Sequence, residues 1–384
     1  MINAERRLGK TVPIRAIPTV TRASDLFRRY HREQRQEVRK ADVKEDKALA
    51  QLKEAWKEFN CRKRRAIVDE YEVAVSLVSS INYSSVDVGK FSIALTEFQE
   101  EKDFFSKAGL FLSALINNGK DASYTITTRH LEKPIKYLGF RNTKNITIIG
   151  DVGADAAYKM ESGVMVINGN TGGGTGYEMQ GGSLEINGNA GMRLGTKMKD
   201  GTISVKKDVR AAAGLLMQGG AIVINGNAND HLGGLMEGGN IVVKGNAENS
   251  VGFEMKGGSI RVKNHVMDFC GKKMRAGKIT VGSADNHVGN SMEGGRITAE
   301  GRIGNITGEE MTGGVILVEG HAGDYIGFRM IAGKIIVEGY LGDRVGFEME
   351  GGEIHANGDE LPSFVRVING KIFHKGKLIY PRSG

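Results

Sequence analysis

Proline and cysteine are the scarce residues of this 384-residue chain, which has five Pro and two Cys beside a single Trp. No Pro occurs from Leu138 to Leu361. Pro has no N–H to give to a backbone ladder, so its absence over so long a stretch is what continuous strand pairing requires. Cys61 and Cys270 lie far apart, which excludes a disulfide framework and a CxxC metal site. They read as structural thiols of a reducing compartment, Cys270 at an inward position and Cys61 beside Arg62, Lys63, Arg64 and Arg65. Long apolar runs are also missing. Leu110–Ile116 is among the longest and falls far short of a membrane span, and residues 1–40 contain no signal-like core. The expectation is a soluble, cytoplasmic protein with no membrane partner.

The usual signs of chemistry are absent too. The eight His are scattered, with no HExxH and no Cys–His pairing at metal spacing. His231 and His287 share a repeat position but lie three repeats apart. The run Gly172-Gly173-Gly174-Thr175-Gly176 is followed by no GKS or GKT, so it is not a phosphate loop. No acidic column of the calcium-binding type persists. The sequence therefore reads as non-enzymatic, without cofactor or metal.

Glycine is abundant instead: 55 residues, about twice the usual share of roughly 7%. All but eight lie between Asn145 and Gly358. In that span Met recurs at 160, 179, 198, 217, 236, 255, 274, 292, 311, 330 and 349, at intervals of 19 residues save one of 18. A Gly stands three residues after every Met and three before all but the first, where Ala157 replaces it. Eleven copies of a 19-residue unit define a solenoid. Within Ser183–Gly201, Leu184 and Ile186 alternate with polar residues at strand period, and Ala190, Leu194 and Met198 complete an inward set. The unit is too short for a helical repeat. The expected class is α+β: a parallel β-helix of about eleven coils with a helical N-terminal region and capping elements. Stacking at about 4.8 Å per coil gives a rod of roughly 50 Å. Met179, Met198, Met217, Met236, Met255 and Met274 form an inward ladder of adaptable side chains. Gly fills corners that need positive φ or close backbone approach. Asn170, Asn189, Asn227 and Asn246 share one position, an expected amide ladder that lapses at His265.

The plan along the chain is a basic extended arm (1–22), a helical region (23–120), a cap (121–144) containing the strand Tyr124–Thr128, the β-helix (145–358) and a hairpin cap (359–384). In the helical region Ser24 reads as an N-cap. Leu49, Leu52, Trp56 and Phe59 recur at helical spacing, as do Ile67, Tyr71, Ala74 and Val78. A further helix is expected from about Ile93 to Asn118, stopped by Asn117-Asn118-Gly119. For the C-terminal cap the spacing predicts a hairpin of Phe364–Ile368 with Lys371–His374 across Asn369-Gly370, and a second turn at Lys375-Gly376.

The Met-centred glycine repeat and the phrases GNAENSVGFEMKGG (245–258) and GHAGDYIGFRMIAGKIIVEG (320–339) resemble the GXGXG β-helix family. This is the domain that closes the large subunit of glutamate synthase and makes up most of one of the subunits of formylmethanofuran dehydrogenase, the second being nearer in wording. The resemblance covers about 145–358 and implies a right-handed parallel β-helix. In both relatives the domain is structural, with cofactors and catalytic residues elsewhere. A stand-alone GXGXG chain with its own helical region is most similar to archaeal proteins.

Charge is segregated. Residues 1–65 contain 19 Lys or Arg against 9 Asp or Glu, while the whole chain carries only +8. Arg28, Arg32, Arg35 and Arg39 fall at helical spacing in one stripe, flanked by Arg29 and Lys40. Arg62, Lys63, Arg64 and Arg65 form a second cluster, and Arg6, Arg7, Lys10 and Arg15 dot the arm. Arg presents a planar fork suited to phosphate oxygens. These residues are the expected contacts to RNA or a ribosomal particle. The alternative partner is an acidic sister subunit of a glutamate synthase-like or formylmethanofuran dehydrogenase-like complex. The aromatic stretch 98–111, read as only partly covered, predicts a homodimer.

Overall fold

The computed structural model describes residues 46–59, 66–360, 362–363 and 366–381. The described fold belongs to the unit that begins at Lys47. Four helices open it: α1 (Lys47–Glu58), α2 (Ile67–Val78), α3 (Ser85–Ala94) and α4 (Phe104–Asn118). The first two lie where the Leu49 and Ile67 periodicities place them. The third differs from expectation, because one helix from Ile93 to Asn118 is in fact two. Ser84 starts α3 with a capping box to Asp87, the helix runs out in a 3-10 turn at Leu95–Phe98, and Asp103 at φ 61° restarts the chain as α4. Gly119 ends α4, its N–H donating to the Leu115 carbonyl.

The aromatic stretch is not an open surface. Phe104 and Phe111 are buried, and Trp56 meets Phe98, Phe104 and Phe111 at ring separations of 5.5–5.8 Å. Lys107 lies 4.0 Å over the Trp56 ring and pairs with Glu101 at 2.8 Å, and the Trp56 indole N–H also donates to Glu101.

Strand β1 (Ser123–Thr127) follows, then β2 (Asn145–Ile149), β3 (Val164–Asn168), β4 (Ser183–Ile186), β5 (Thr202–Val205), β6 (Ala221–Ile224), β7 (Asn240–Val243) and β8 (Ser259–Val266). The second half holds β9 (Lys278–Ala284), β10 (Arg296–Ala299), β11 (Val315–Val318), β12 (Lys334–Val337), β13 (Glu353–Ala356), β14 (Lys371–His374) and β15 (Lys377–Tyr380). All lie in one sheet in strictly sequential order. Every neighbouring pair from β1 to β14 is parallel, and only β14 and β15 run antiparallel. This is a parallel β-solenoid of about 13 turns, roughly 60 Å long at 4.8 Å per rung. The count exceeds eleven because the end rungs lack the Met signature. The segment expected to be only a cap supplies the first rung, β1, and the C-terminal segment supplies the last, β14.

The C-terminal hairpin is also one step later than expected. Lys371–His374 extends the solenoid against β13 and then pairs with Lys377–Tyr380. Its turn is Lys375-Gly376, both at positive φ; of the expected strand Phe364–Ile368, residues 364–365 lie outside the described residues and 366–368 carry no strand. The antiparallel hairpin closes an edge that would otherwise template further strands. At the other end α3 lies against β1, and α4 is tied to the loop behind it. The Ser113 hydroxyl accepts from the Gly139 N–H at 2.9 Å, and Asn117 Nδ2 donates to Tyr71 Oη at 2.9 Å and to the Phe140 carbonyl at 3.1 Å.

Inside the rod, each strand alternates buried and outward residues, as in β6 and β7. The Met ladder from Met160 to Met349 is fully buried. Glycine's role is narrower than positive φ alone. Each coil has four positions at positive φ, two of which accept ordinary residues such as Leu216 (φ 56°) and even β-branched Ile306 (φ 59°). Those two point outward. The other two face inward: a Cβ on Gly220 (φ 78°) would lie 2.7 Å from the Gly201 carbonyl oxygen and from Met198 Cε. Gly holds the inward positions, where backbone conformation and close packing coincide, in every Met-bearing coil but the first, which has the buried Ala157 (φ 56°) at one of them.

Cys270 sits within this core with no exposed surface, and burial pushes its thiol up to about 12. The thiolate is the reactive form. Cys270 is therefore expected to resist iodoacetamide at pH 8 in the folded protein and to react fully in denaturant, as read by peptide mass mapping. Rapid labelling of the native protein would contradict its burial.

Candidate nucleic-acid interface

The basic residues singled out in the sequence, Arg6, Arg7, Lys10, Arg15, Arg28, Arg29, Arg32, Arg35, Arg39, Lys40, Arg62, Lys63, Arg64 and Arg65, lie outside the described residues, as do Ser24 and Cys61. The solenoid itself offers a second basic site that its overall charge conceals.

Corner geometry builds this site. The expected Asn ladder is present, but it is not a stack of amides. Side-chain oxygens of Asp151, Asn170, Asn189, Asp208, Asn227 and Asn246 each accept from the backbone N–H one coil further on, at 2.7–3.2 Å. Only an oxygen is needed, so Asp serves as well as Asn. A second ladder, three residues along, repeats the device through Asp230, Asn249, Asp268, Asn286, Asn305 and Asp324 at 2.8–3.2 Å. Mixed Asp and Asn hid it in the sequence. Both ladders satisfy corner N–H groups that strands do not reach.

Where the first ladder ends, His265 takes the Asn place. Its Nδ1 meets Ser283 Oγ at 2.9 Å and its Nε2 meets Asp285 at 3.1 Å. This is the 18-residue coil, where the β8–β9 register shifts between Val262 and His265. Such bonds hold an irregular corner. His287 stacks on Phe269 at 4.8 Å and bonds Glu309 at 2.9 Å, while His231 meets Phe253 edge-on at 6.4 Å. The two His of the shared position thus have separate partners. Among the described residues no group of three or more His, Cys, Asp or Glu is placed to hold a metal ion.

Between the first ladder and the next corner, Gly172, Gly173 and Gly191 leave a shelf without side chains. The resulting depression of about 360 Å³ is bounded by Asn170, Asn189, Met192 and Arg210. The buried Thr171 hydroxyl, which also lines it, has no hydrogen-bond partner among the described residues. One cation, Arg210, lines it, and the coil that runs on from it is basic. Residues 193–210 hold Arg193, Lys197, Lys199, Lys206, Lys207 and Arg210 against only Asp200 and Asp208. Lys206 pairs with Glu185 at 3.0 Å, whereas Arg193, Lys207 and Arg210 are exposed and form no ion pair among the described residues. A glycine shelf beside the unpaired Arg210 guanidinium suits the oxygens of a phosphate.

Three residues beyond the shelf an aromatic row begins. Tyr71, Phe140, Tyr158 and Tyr177 follow one another at ring separations of 5.0–5.4 Å. Lys159 and Lys197 lie over Tyr158 and Tyr177 at 5.4 and 5.8 Å. The Tyr177 hydroxyl, by hydrogen bonding, holds Lys197 above the usual lysine value. Tyr71 and Phe140 are buried, so only Tyr158 and Tyr177, part-exposed and capped by lysines, could offer a face to a nucleobase. A larger groove of about 590 Å³, near Arg275, Glu310 and Ile331, carries both charge signs. Two of its three cations are engaged, Arg275 on Glu293 at 3.2 Å and Arg329 on Glu348 at 3.0 Å.

No protein-family model matches the chain, and no curated protein matches it. The fold and surface define the class, a helix-capped parallel β-solenoid with a local basic belt. No helix among the described residues is long and apolar enough to cross a membrane.

Proposed function

We propose that the protein is a non-catalytic binding platform that docks onto RNA or a ribonucleoprotein such as the ribosome, as a regulatory or dormancy factor of that particle. The observation that carries this reading is the concentration of 19 Lys or Arg against 9 acids in residues 1–65 of a chain whose remainder is slightly acidic. Lys and Arg clusters bind the phosphate backbone by counterion release, with little need of base readout. The solenoid supplies a rigid body, and the belt at Arg193, Lys207 and Arg210 supplies a second phosphate contact. The cell compartment of this reading is the cytoplasm.

One observation favours a second reading. Eleven Met-centred copies, ten of them GxxMxxG and the first with Ala157 for the leading Gly, in a parallel β-solenoid support kinship with the GXGXG domain, and so a structural subunit of a glutamate synthase-like or formylmethanofuran dehydrogenase-like complex. The basic segment then meets an acidic sister subunit. Purification from the native source separates the two. On the first reading the protein carries nuclease-sensitive material absorbing near 260 nm. Co-purified iron, molybdenum, tungsten or flavin with other subunits, and no RNA, would replace it by the second.

A further inference from the structure

The second corner ladder covers only part of the rod. It begins with the Asp230 carboxylate, which accepts from the Asn249 N–H, and the later coils repeat the bond as far as the Asp343 N–H. In the coils before Asp230 the same column reads Ala154, Gly173, Met192 and Ala211, none of which has a side-chain oxygen. The corner N–H groups of Gly173, Met192, Ala211 and Asp230 accordingly find no acceptor among the described residues. Corner donors that no strand reaches need an oxygen from elsewhere.

Two of them, Gly173 and Met192, line the depression of about 360 Å³ beside the first ladder. A third N–H joins them at Gly191. Its counterparts at Gly172 and Arg210 donate to Val152 and Ala190 at 2.9 and 3.1 Å, whereas that of Gly191 has no acceptor among the described residues. Asn189 gives its Oδ1 to the Asp208 N–H, and its amide NH2 makes no hydrogen bond among the described residues. Arg210 adds an exposed, unpaired guanidinium, and Thr171, only 8% exposed, adds the partnerless hydroxyl. None of the described residues lining the depression is a carboxylate. Backbone N–H groups, an amide and a guanidinium thus border one pocket without a negative charge of its own.

We infer that this depression binds one phosphate group, whose oxygens stand in for the missing corner acceptor. An Asp or Asn at position 173 would set its oxygen on the Met192 N–H, as Asp230 does for Asn249. Gly173 leaves that point to a ligand oxygen. The Gly173 and Met192 donors lie one rung apart, about 4.8 Å, a gap that two oxygens of one tetrahedral anion bridge at ordinary hydrogen-bond length. Its other oxygens meet the Asn189 amide and the Arg210 fork. A carboxylate, with two oxygens in one plane, cannot serve the backbone row and the guanidinium together. Fixed backbone donors of this kind are a known way to hold anions. Inorganic phosphate and a phosphate monoester share the required chemistry. The inference rests on the reading of the shelf as a phosphate contact, but not on docking through residues 1–65.

Isothermal titration calorimetry of the nuclease-treated full chain at constant ionic strength tests it. The probes are inorganic phosphate, a nucleoside 5′-monophosphate and the unphosphorylated nucleoside. Phosphate or the monophosphate is expected to bind at one site with a dissociation constant of about 1 mM or below, and the nucleoside not at all. Tighter binding of phosphate assigns the free anion, and tighter binding of the monophosphate assigns an ester. Gly173→Asn supplies the corner oxygen from the chain itself, and Arg210→Asn installs what the next coil carries at Asn229. Each is expected to weaken binding at least about tenfold. Gly173 lies outside the left-handed region, and a Cβ there comes no nearer than 3.2 Å to any neighbour, the Met192 carbonyl oxygen. The Asn variant is therefore expected to keep the wild-type circular dichroism and melt no lower. Saturable phosphate binding in a chain that fails to bind RNA supports this inference while counting against the wider reading. No saturable binding of either phosphate probe, equal binding of the nucleoside, or wild-type affinity in either folded variant would overturn it.

Discussion

Ala in place of Gly220 is expected to destabilise the solenoid by about 2–4 kcal/mol, while Gly in place of Leu216 changes stability by no more than about 1 kcal/mol. Both positions have positive φ, 78° and 56°, within a few residues of one another in one coil. A left-handed backbone strains any side chain, so conformation alone would make both sites prefer Gly. The difference lies in direction. The new methyl group at Gly220 would press on the Gly201 carbonyl and Met198 Cε, within a core that cannot shift without moving the rungs on either side. Leu216 points outward, and its removal relieves strain while giving up some packing. Guanidinium unfolding followed by far-UV circular dichroism measures both. Equal losses at the two sites would show that the glycines are kept for φ alone.

Reversing four charges in the N-terminal segment is expected to have the largest functional effect. Arg28, Arg32, Arg35 and Arg39 changed together to Glu should abolish co-sedimentation with ribosomal particles at about 100 mM salt. Each neutralised phosphate contributes about 0.7 to 0.9 to the slope of log affinity on log salt, so four lost contacts remove about 3 from it. Reversal also adds repulsion, which turns a weakened contact into none. The control is the same change at Lys278 and Arg296, also Lys or Arg but on the sheet face away from the shelf, which should leave sedimentation with the particle intact. Binding that survives the fourfold change would place the RNA contact elsewhere.

The sequence and the fold agree most closely where stacking repeats. A residue that recurs every 19 positions sits above its own copies, so Met236 or Ile241 could be placed in the core from spacing alone. The ends broke that rule. Ser123–Thr127 is a rung without the Met and Gly marks and Lys371–His374 one without the Met, because a terminal coil meets a helix or hairpin on one side. The hairpin falls later than its turn chemistry suggests for a related reason: Asn369-Gly370 looks like a turn, yet Gly370 occupies the inward glycine position of a last coil, where a Cβ would lie 2.7 Å from Met349 Cε. The second corner ladder is hidden in the sequence because Asp and Asn are mixed in it with no fixed order, and only the shared acceptor oxygen matters. The belt around Arg210 is invisible in a solenoid whose acids and bases nearly cancel. It emerges when one coil is considered alone and the missing side chains of Gly172, Gly173 and Gly191 are seen to open a shelf beside it.

The proposed docking on nucleic acid is tested most directly by the salt dependence of wild-type affinity for ribosomal RNA between about 50 and 300 mM. A clustered Arg surface engaging four or more phosphates gives a straight line of slope about −3 or steeper. A slope near zero, or no binding at 50 mM, would contradict it.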